Sequence, residues 1–283
     1  MCHSQYGSGN KKLILFIAST KDIAGMNIAK HVIENCGFEQ QTETFQQNPI
    51  YTKTIHNKQT KLFFVNTEIT QTQFLNSLFN PELFIFLSRH SSAKAIPTLS
   101  VHTPGNLSEA RFGGEPRRVS ISPAGAMKNA LHKMAKLTTE KMLNYAVSYE
   151  CTHHGPSLDS PTMFVELGSS PKQWKDDEAA DVVAKAAVAA VSYCASYSAV
   201  LGIGGPHYNK KFTNLALAER KTFGHMIPKY LLGEVDYKTI RHCVEKTLEP
   251  VSSVILDWKG IIGEHKPKII DALDALGLQS ERI

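Results

Sequence analysis

Two rhythms of apolar spacing alternate along the chain. Lys12–Ser19 (KLILFIAS) is a continuous apolar run of strand length, the pattern of a strand buried on both faces. Ile23–Cys36 follows with helical spacing: Ile23, Met26, Ile28, Ala29, Val32 and Ile33 fall near one face, and Gly37 supplies a C-cap. Tyr51–Ile55 and Leu62–Val65 flank a polar turn, His56–Thr60, and predict a hairpin. Leu83–Leu87 predicts a buried strand and Pro97–Val101 a shorter one. Pro123–Tyr145 predicts a long helix, striped by Ala126, Met127, Ala130, Leu131, Met134, Leu137 and Leu143, with Pro123 near its first turn. Val147–Cys151 and Met163–Leu167 predict strands. Pro171–Ser198 predicts a second long helix with Ser170 as N-cap. Ala199–Ile203 predicts a strand that ends in Gly204-Gly205-Pro206. A helix over Tyr237–Leu248, a strand over Val251–Trp258 and a helix over Pro267–Leu276 complete the set.

Apolar strands alternating with helices predict an α/β fold: a single domain with a mostly parallel or mixed central sheet flanked by helices. Residues 1–10 are expected to be a flexible N-terminal tail without the apolar stretch of a signal peptide, and residues 11–283 one domain. Thr103–Ser122, rich in Gly, Pro and Arg, is expected to be a long functional loop.

Composition narrows the class. The 283 residues are 42% hydrophobic and 20% charged, which excludes a disordered chain or a coiled coil. The longest apolar runs, such as Leu13–Ala18, fall far short of the roughly 20 residues of a membrane span. No membrane partner is expected. The five cysteines form no CxxC pair, and free thiols in a reducing cytoplasm fit them best. Net charge is +5, and the excess lies between residues 89 and 141, where nine basic residues meet three acidic ones. The lysines there suit a solvated helix face; Arg111, Arg117 and Arg118, on the Gly/Pro loop, suit phosphate contacts.

In α/β sheets ligand sites gather beyond the carboxyl ends of strands. The residues that follow the expected strands are Ser88-Arg89-His90, His102 to Asn106, Thr152 to Pro156, Glu166 with Gly168 and Ser169, and Gly204 to Tyr208. Six of the twelve histidines lie there or at the related Gly224-His225: His90, His102, His153, His154, His207 and His225. Any one of them could be an ordinary hydrogen-bonded loop residue. Together with Glu166 they also suit Zn²⁺, although no HExxH or CxxC spacing is present. Gly168-Ser169-Ser170-Pro171 is either an anion-binding helix start or a plain cap. Cys151 beside His153 fits packing better than a thiol nucleophile. No GK[ST] or GxSxG motif occurs.

Six segments in order resemble the archaeal- and plant-type D-aminoacyl-tRNA deacylase family: SRH (88–90), VHTPGN (101–106), THHGP (152–156), VELGSS…W (165–174), GIGGPHYNKKFT (202–213) and FGHMIPKY (223–230). The resemblance implies hydrolysis of the ester joining a D-amino acid to the terminal ribose of tRNA. It also implies a fold similar to peptidyl-tRNA hydrolase and nucleoside phosphorylase, and two zinc ions per subunit. The cleft is then expected among His102, His153, His154, Glu166, His207 and His225, with His102, His153, His154, Glu166 and His207 as metal ligands. Arg89, His90, Asn106, Arg111, Arg117, Arg118, Ser169, Ser170, Gly204, Gly205 and Tyr208 are the expected substrate contacts, the partner being the 3′ acceptor end of D-aminoacyl-tRNA. No obligate protein partner is expected. Chirality would come from steric rejection of the L side chain. The rival readings are a peptidyl-tRNA hydrolase or nucleoside phosphorylase on the same fold, and a non-catalytic tRNA-binding protein.

Overall fold

The computed structural model describes residues 13–193, 198–219 and 221–283. In chain order its elements are β1 (Leu13–Ser19), α1 (Ile23–Cys36), β2 (Glu39–Phe45), β3 (Asn48–Ile55), β4 (Lys58–Val65), α2 (Leu75–Leu78), β5 (Leu83–Arg89), β6 (Thr98–His102), α3 (Ala124–Glu140) and β7 (Ala146–Tyr149). Then come β8 (Thr162–Gly168), α4 (Pro171–Trp174), α5 (Asp177–Ala190), β9 (Ala199–Ile203), α6 (Lys210–Glu219), β10 (Phe223–Ile227), α7 (Tyr237–Glu245), β11 (Val251–Leu256), α8 (Lys266–Ala275) and β12 (Ser280–Arg282). The fold is mixed α/β. The expected tail, residues 1–10, lies outside the described residues.

The strands form two sheets. The larger has eight strands in the order β2-β3-β4-β1-β5-β8-β6-β7. Its centre, β4-β1-β5-β8, is parallel, while β6 runs antiparallel to β8. The smaller, β10-β9-β11-β12, is parallel throughout. Helices α1, α3 and α5 cover one face of the large sheet, where Phe16, Ile85, Val165, Leu167 and Val101 are fully buried. Phe212, Phe223 and Met226 from the second sheet's neighbourhood pack into that same cluster. Leu15, Ile17, Phe84, Phe86 and Phe164 form a separate apolar layer, and period-two alternation assigns it to the other face.

Local chemistry explains several boundaries. Asp22 caps α1 by accepting from Ala24 N and Gly25 N at 3.0 and 3.1 Å, and Gly37 closes it in the left-handed conformation. The β3–β4 hairpin turns at His56 and Asn57, both with positive φ, as a tight two-residue turn demands. The first residues of α3 are capped from far away in sequence: the buried Glu249 carboxylate accepts from Ala124 N (2.9 Å) and Gly125 N (2.7 Å).

Some elements differ from expectation. The helix expected over Pro171–Ser198 is two, α4 and α5, because Asp176 restarts the helix by accepting from Ala179 N at 3.0 Å. Residues 194–197 of that stretch lie outside the described residues. The helix expected to reach Tyr145 ends at Glu140, before Met142 adopts a φ of 53°. Strands β2, β10 and β12 and helices α2 and α6 were not foreseen. Thr103–Ser122 is a long loop, as expected, and it is pinned by isolated bridges: Gly105 to Val119, Ile121 to Pro161 and Ser122 to Thr247.

Replacing Asp176 by Ala should lower the unfolding free energy by about 1–2 kcal/mol, measured by urea denaturation, from loss of the cap and of the 2.9 Å bond from Tyr145 OH.

Candidate functional site

Alternation along three strands brings the candidate chemistry to one face of the large sheet. Met163, Val165 and Leu167 of β8 enter the helix-covered cluster, and Phe164 enters the opposite layer. Glu166, two residues beyond Phe164, shares that second face. By the same parity Leu99 and Val101 of β6 face the helices and His102 faces away, its ring stacked on Phe164 at 5.1 Å. Ser88 and His90 continue the series of Phe84 and Phe86. Because β6 opposes β8, His102 sits across from Phe164, and the site spreads over the sheet face instead of along one row of carboxyl ends.

Residues 150–154 and 207–208 complete it. Glu150 bridges Tyr208, and His153 bridges Pro104. Glu150 is fully buried. Its Oε2 lies 2.8 Å from His207 Nε2 and 3.7 Å from His153 Nε2; its Oε1 lies 3.1 Å from His90 Nδ1, without an aligned hydrogen bond. Glu166 lies 3.6 Å from both His90 Nδ1 and His102 Nε2. Tyr208 OH contacts His90 Nε2 at 2.6 Å. On the far side of His207, Nδ1 is 3.1 Å from Tyr230 OH and 3.3 Å from Cys151 Sγ.

These contacts divide the histidines into two electrostatic kinds. Burial disfavours the cation of His90, but its contacts with Glu150 and Glu166 outweigh that and push its pKa up to about 10. His207 is likewise held up at about 10, burial being outweighed by Cys151 and Glu150. Burial drives His153 well below its ordinary value and His154 down to about 4, the neighbouring imidazoles adding to the shift. Glu150 stays ionised: burial would raise its pKa, yet His207 and His90 hold it well below the usual range. His153 Nδ1 lies 2.8 Å from Cys151 O and His154 Nδ1 2.7 Å from Gly155 O. A carbonyl only accepts, so each Nδ1 carries the proton and each Nε2 keeps a lone pair.

Among the described residues, three groups have metal-ligand spacing, each with its donor atoms within 4.8 Å: His102, His153 and His154; Cys151, His153 and His207; and His90, Glu150 and Glu166. Both ring nitrogens of the fully buried His102 lack a hydrogen-bond partner. An orphaned buried imidazole costs about 1–3 kcal/mol, which coordination would offset. The donor set of imidazole, carboxylate and thiol therefore fits a metal ion.

Two cavities open on this cluster. One of about 550 Å³ is lined by residues that include Asp22, Glu68, Arg89, His90, Glu150 and Glu166. One of about 490 Å³ is lined by Asn106, Leu107, Arg111, Tyr230, Leu231 and others. His153, His154, His207 and Phe112 border both.

The structure thus brings together His90, His102, His153, His154, Glu166, His207 and Tyr208. Of the other expected residues, Arg89, Asn106 and Arg111 line the cavities beside this cluster, and the rest lie elsewhere. His225 is buried in β10, bonded to Thr152 Oγ1 and Lys246 O at 3.0 Å each, and lines neither cavity. Arg118 forks onto Asp159 at 2.7 and 2.8 Å and also pairs with Glu115; Arg117 lies 3.8 Å from Asp236. Arg111 pairs with Glu109 and Arg89 with Glu68, each beside a cavity. Asn106 donates to Gly113 O at 2.8 Å. Ser169 donates to Ile96 O and Ser170 to Gln173, away from the cavities. Gly204 and Gly205 turn the chain after β9 with φ of 96° and 79°. Glu150 and Tyr230 were not foreseen. The one available signal for Glu150 was an acidic residue between Tyr149 and Cys151 in an otherwise apolar stretch.

A sequence model described as D-aminoacyl-tRNA deacylase matches residues 78–281. The D-aminoacyl-tRNA deacylase of Pyrococcus furiosus is 36% identical over 271 residues, covering 93% of this chain and 97% of that one. That of Methanococcus maripaludis is 34% identical over 281 residues, covering 95% and 99%. Among solved structures, the crystal structure of a conserved protein of unknown function superposes with a TM-score of 0.84 at 27% identity, covering 96% of this chain and 95% of that one. No helix among the described residues is long and apolar enough to cross a membrane.

Burial holds the folded-state pKa of His225 at about 4, against 6.5 when unfolded. The unfolded chain therefore binds a proton first as pH falls. The contribution of His225 is complete above pH 6.5 and is lost towards pH 4, at most about 3 kcal/mol. His225→Gln should be less stable at pH 7, with the gap to wild type in urea midpoint narrowing across that window.

Proposed function

Since the chain belongs to the D-aminoacyl-tRNA deacylase family and is accordingly a hydrolase of D-aminoacyl-tRNA, we propose that the ester is cleaved where the two cavities meet, over Glu150 and Glu166. The observation that carries this assignment is the pair of neutral imidazoles, His153 and His154, whose free Nε2 atoms stand among buried carboxylates and cationic imidazoles.

Ester hydrolysis needs a base for water, a donor for the developing oxyanion and a proton for the leaving ribose oxygen. His153 or His154 takes the proton from water at Nε2. Glu150 and Glu166 hold His90 and His207 in the cationic form. The His207 cation donates from Nδ1 towards Tyr230 OH, 3.1 Å away, which leaves the phenol proton to serve the oxyanion or the leaving oxygen. Two zinc ions per chain would be held from among His102, His153, His154, Glu166 and His207: a ligating imidazole is neutral and gives its lone pair to the metal, so the one of His153 and His154 left off the metal is the base, and His207, when it ligates through Nε2, keeps the Nδ1 proton that it donates to Tyr230. When bound, zinc supplies a Lewis acid that polarises the ester carbonyl. Arg111, beside the smaller cavity, meets the phosphates of the acceptor end, and Arg89, beside the larger one, borders the aminoacyl group. An L side chain would be directed against the cavity wall and rejected by clash. The reaction recycles mischarged tRNA, and we place it in the cytoplasm.

Matched D- and L-tyrosyl-tRNA provide the test. The protein should release tyrosine from the D ester alone. His154→Ala and His153→Ala should each lower kcat by about 100-fold or more, the usual contribution of a positioned base; full activity in both would reject the assignment. A strong chelator should abolish turnover, and added Zn²⁺ should restore it.

A further inference from the structure

We propose that the cavity of about 490 Å³ is a subsite for the 3′-terminal adenosine of the tRNA, and that Phe112 is the platform on which its base stacks. This rests on the deacylase reading above and says how the same site holds its substrate. The scissile ester joins an aminoacyl group to that adenosine. With the ester at the histidines common to both cavities, the two halves of the substrate lie on opposite sides of them. The larger cavity is the more polar: Asp22, Glu68, Glu150 and Glu166 line it with Arg89, His90 and His207, and its carboxylates offer partners to the α-ammonium group of an aminoacyl ester. The smaller one is also bordered by charged groups, Glu109, Arg111 and Glu234, but it presents Leu107, Leu231 and the ring of Tyr230, apolar surface of the kind a purine prefers.

Phe112 stands between the two. Its side chain is exposed to 70%, and among the described residues no aromatic ring packs against it. Its backbone, by contrast, is clamped. Phe112 O accepts from Gly155 N at 2.9 Å, and Gly113 O accepts from Asn106 Nδ2 at 2.8 Å. Gly113 and Gly114 have φ of 73° and 75°. A Cβ on Gly113 would meet Thr70 O at 1.9 Å, and one on Gly155 would meet Gly114 N at 2.2 Å. A large apolar ring held on a rigid backbone, with its faces uncovered, is already arranged to receive a flat partner without further ordering.

The test compares wild type, Phe112→Ala and Phe112→Trp on two D-tyrosyl esters. One is on tRNA ending in adenosine; the other is on the same tRNA with an abasic terminal nucleotide. Because Phe112 is exposed, neither variant should disturb folding. Phe112→Ala should lower kcat/KM by about 10- to 100-fold on the adenosine ester, the size of one base–aromatic stack, and Phe112→Trp should retain activity. On the abasic ester all three proteins should be equally slow. An equal loss on both esters overturns the proposal. So does a loss seen with D-tyrosyl but not with D-alanyl esters, which would assign Phe112 to the amino-acid side chain. Failure of the wild type on every D ester would reject the deacylase reading itself, and this one with it.

Discussion

Glu150 is a carboxylate with no exposure to water, and its charge must be matched inside the protein. The match comes from His207 at 2.8 Å and His90 at 3.1 Å, which arrive from separate parts of the chain. His90 follows β5 in the large sheet. His207 follows β9 in the small one. Glu150 itself leaves β7. One buried charge therefore ties both sheets together at the site, and the adjoining bridge between Glu150 and Tyr208 fixes the approach. Truncating such a carboxylate would leave two cations buried and unmatched, a far larger loss than that of a surface ion pair.

The same charge sets the chemistry of the ring of imidazoles. His90 and His207, each paired with Glu150, are held as cations; His153 and His154, burdened by burial and by the neighbouring imidazoles, remain neutral. One cluster of like side chains thus presents proton donors and lone pairs within a few ångströms. This is a common outcome when burial and specific charge partners pull pKa values apart. The orphaned ring nitrogens of His102 are the part of the cluster that protein contacts alone leave incomplete.

The long loop after β6 frames the entrance. It is held by bridges at Gly105, Ile121 and Ser122, by Asn106 and by the Arg118 fork to Asp159. The basic residues at 117 and 118 spend their charge on carboxylates of the protein, so positive charge counted along the sequence overstates what a polyanion meets there.

Much was legible in the residues alone. Buried strands and capped helices follow from apolar periodicity and from Gly37, because both act over a few residues. The identity of the histidine segments was also legible, since chemistry-bearing residues directly follow apolar runs. The break at Asp176 was missed because an Ala-rich stretch carries its helical pattern across a cap. The tertiary structure alone decided which polar residues meet. Glu150 and His207 are 57 positions apart, and nothing in the spacing of either reveals the other. His225 reads like its neighbours in sequence, yet β10 turns it into the core against Thr152. Pairings of this kind depend on strand order and on the antiparallel sense of β6, which are settled by packing across the whole sheet and leave no local trace.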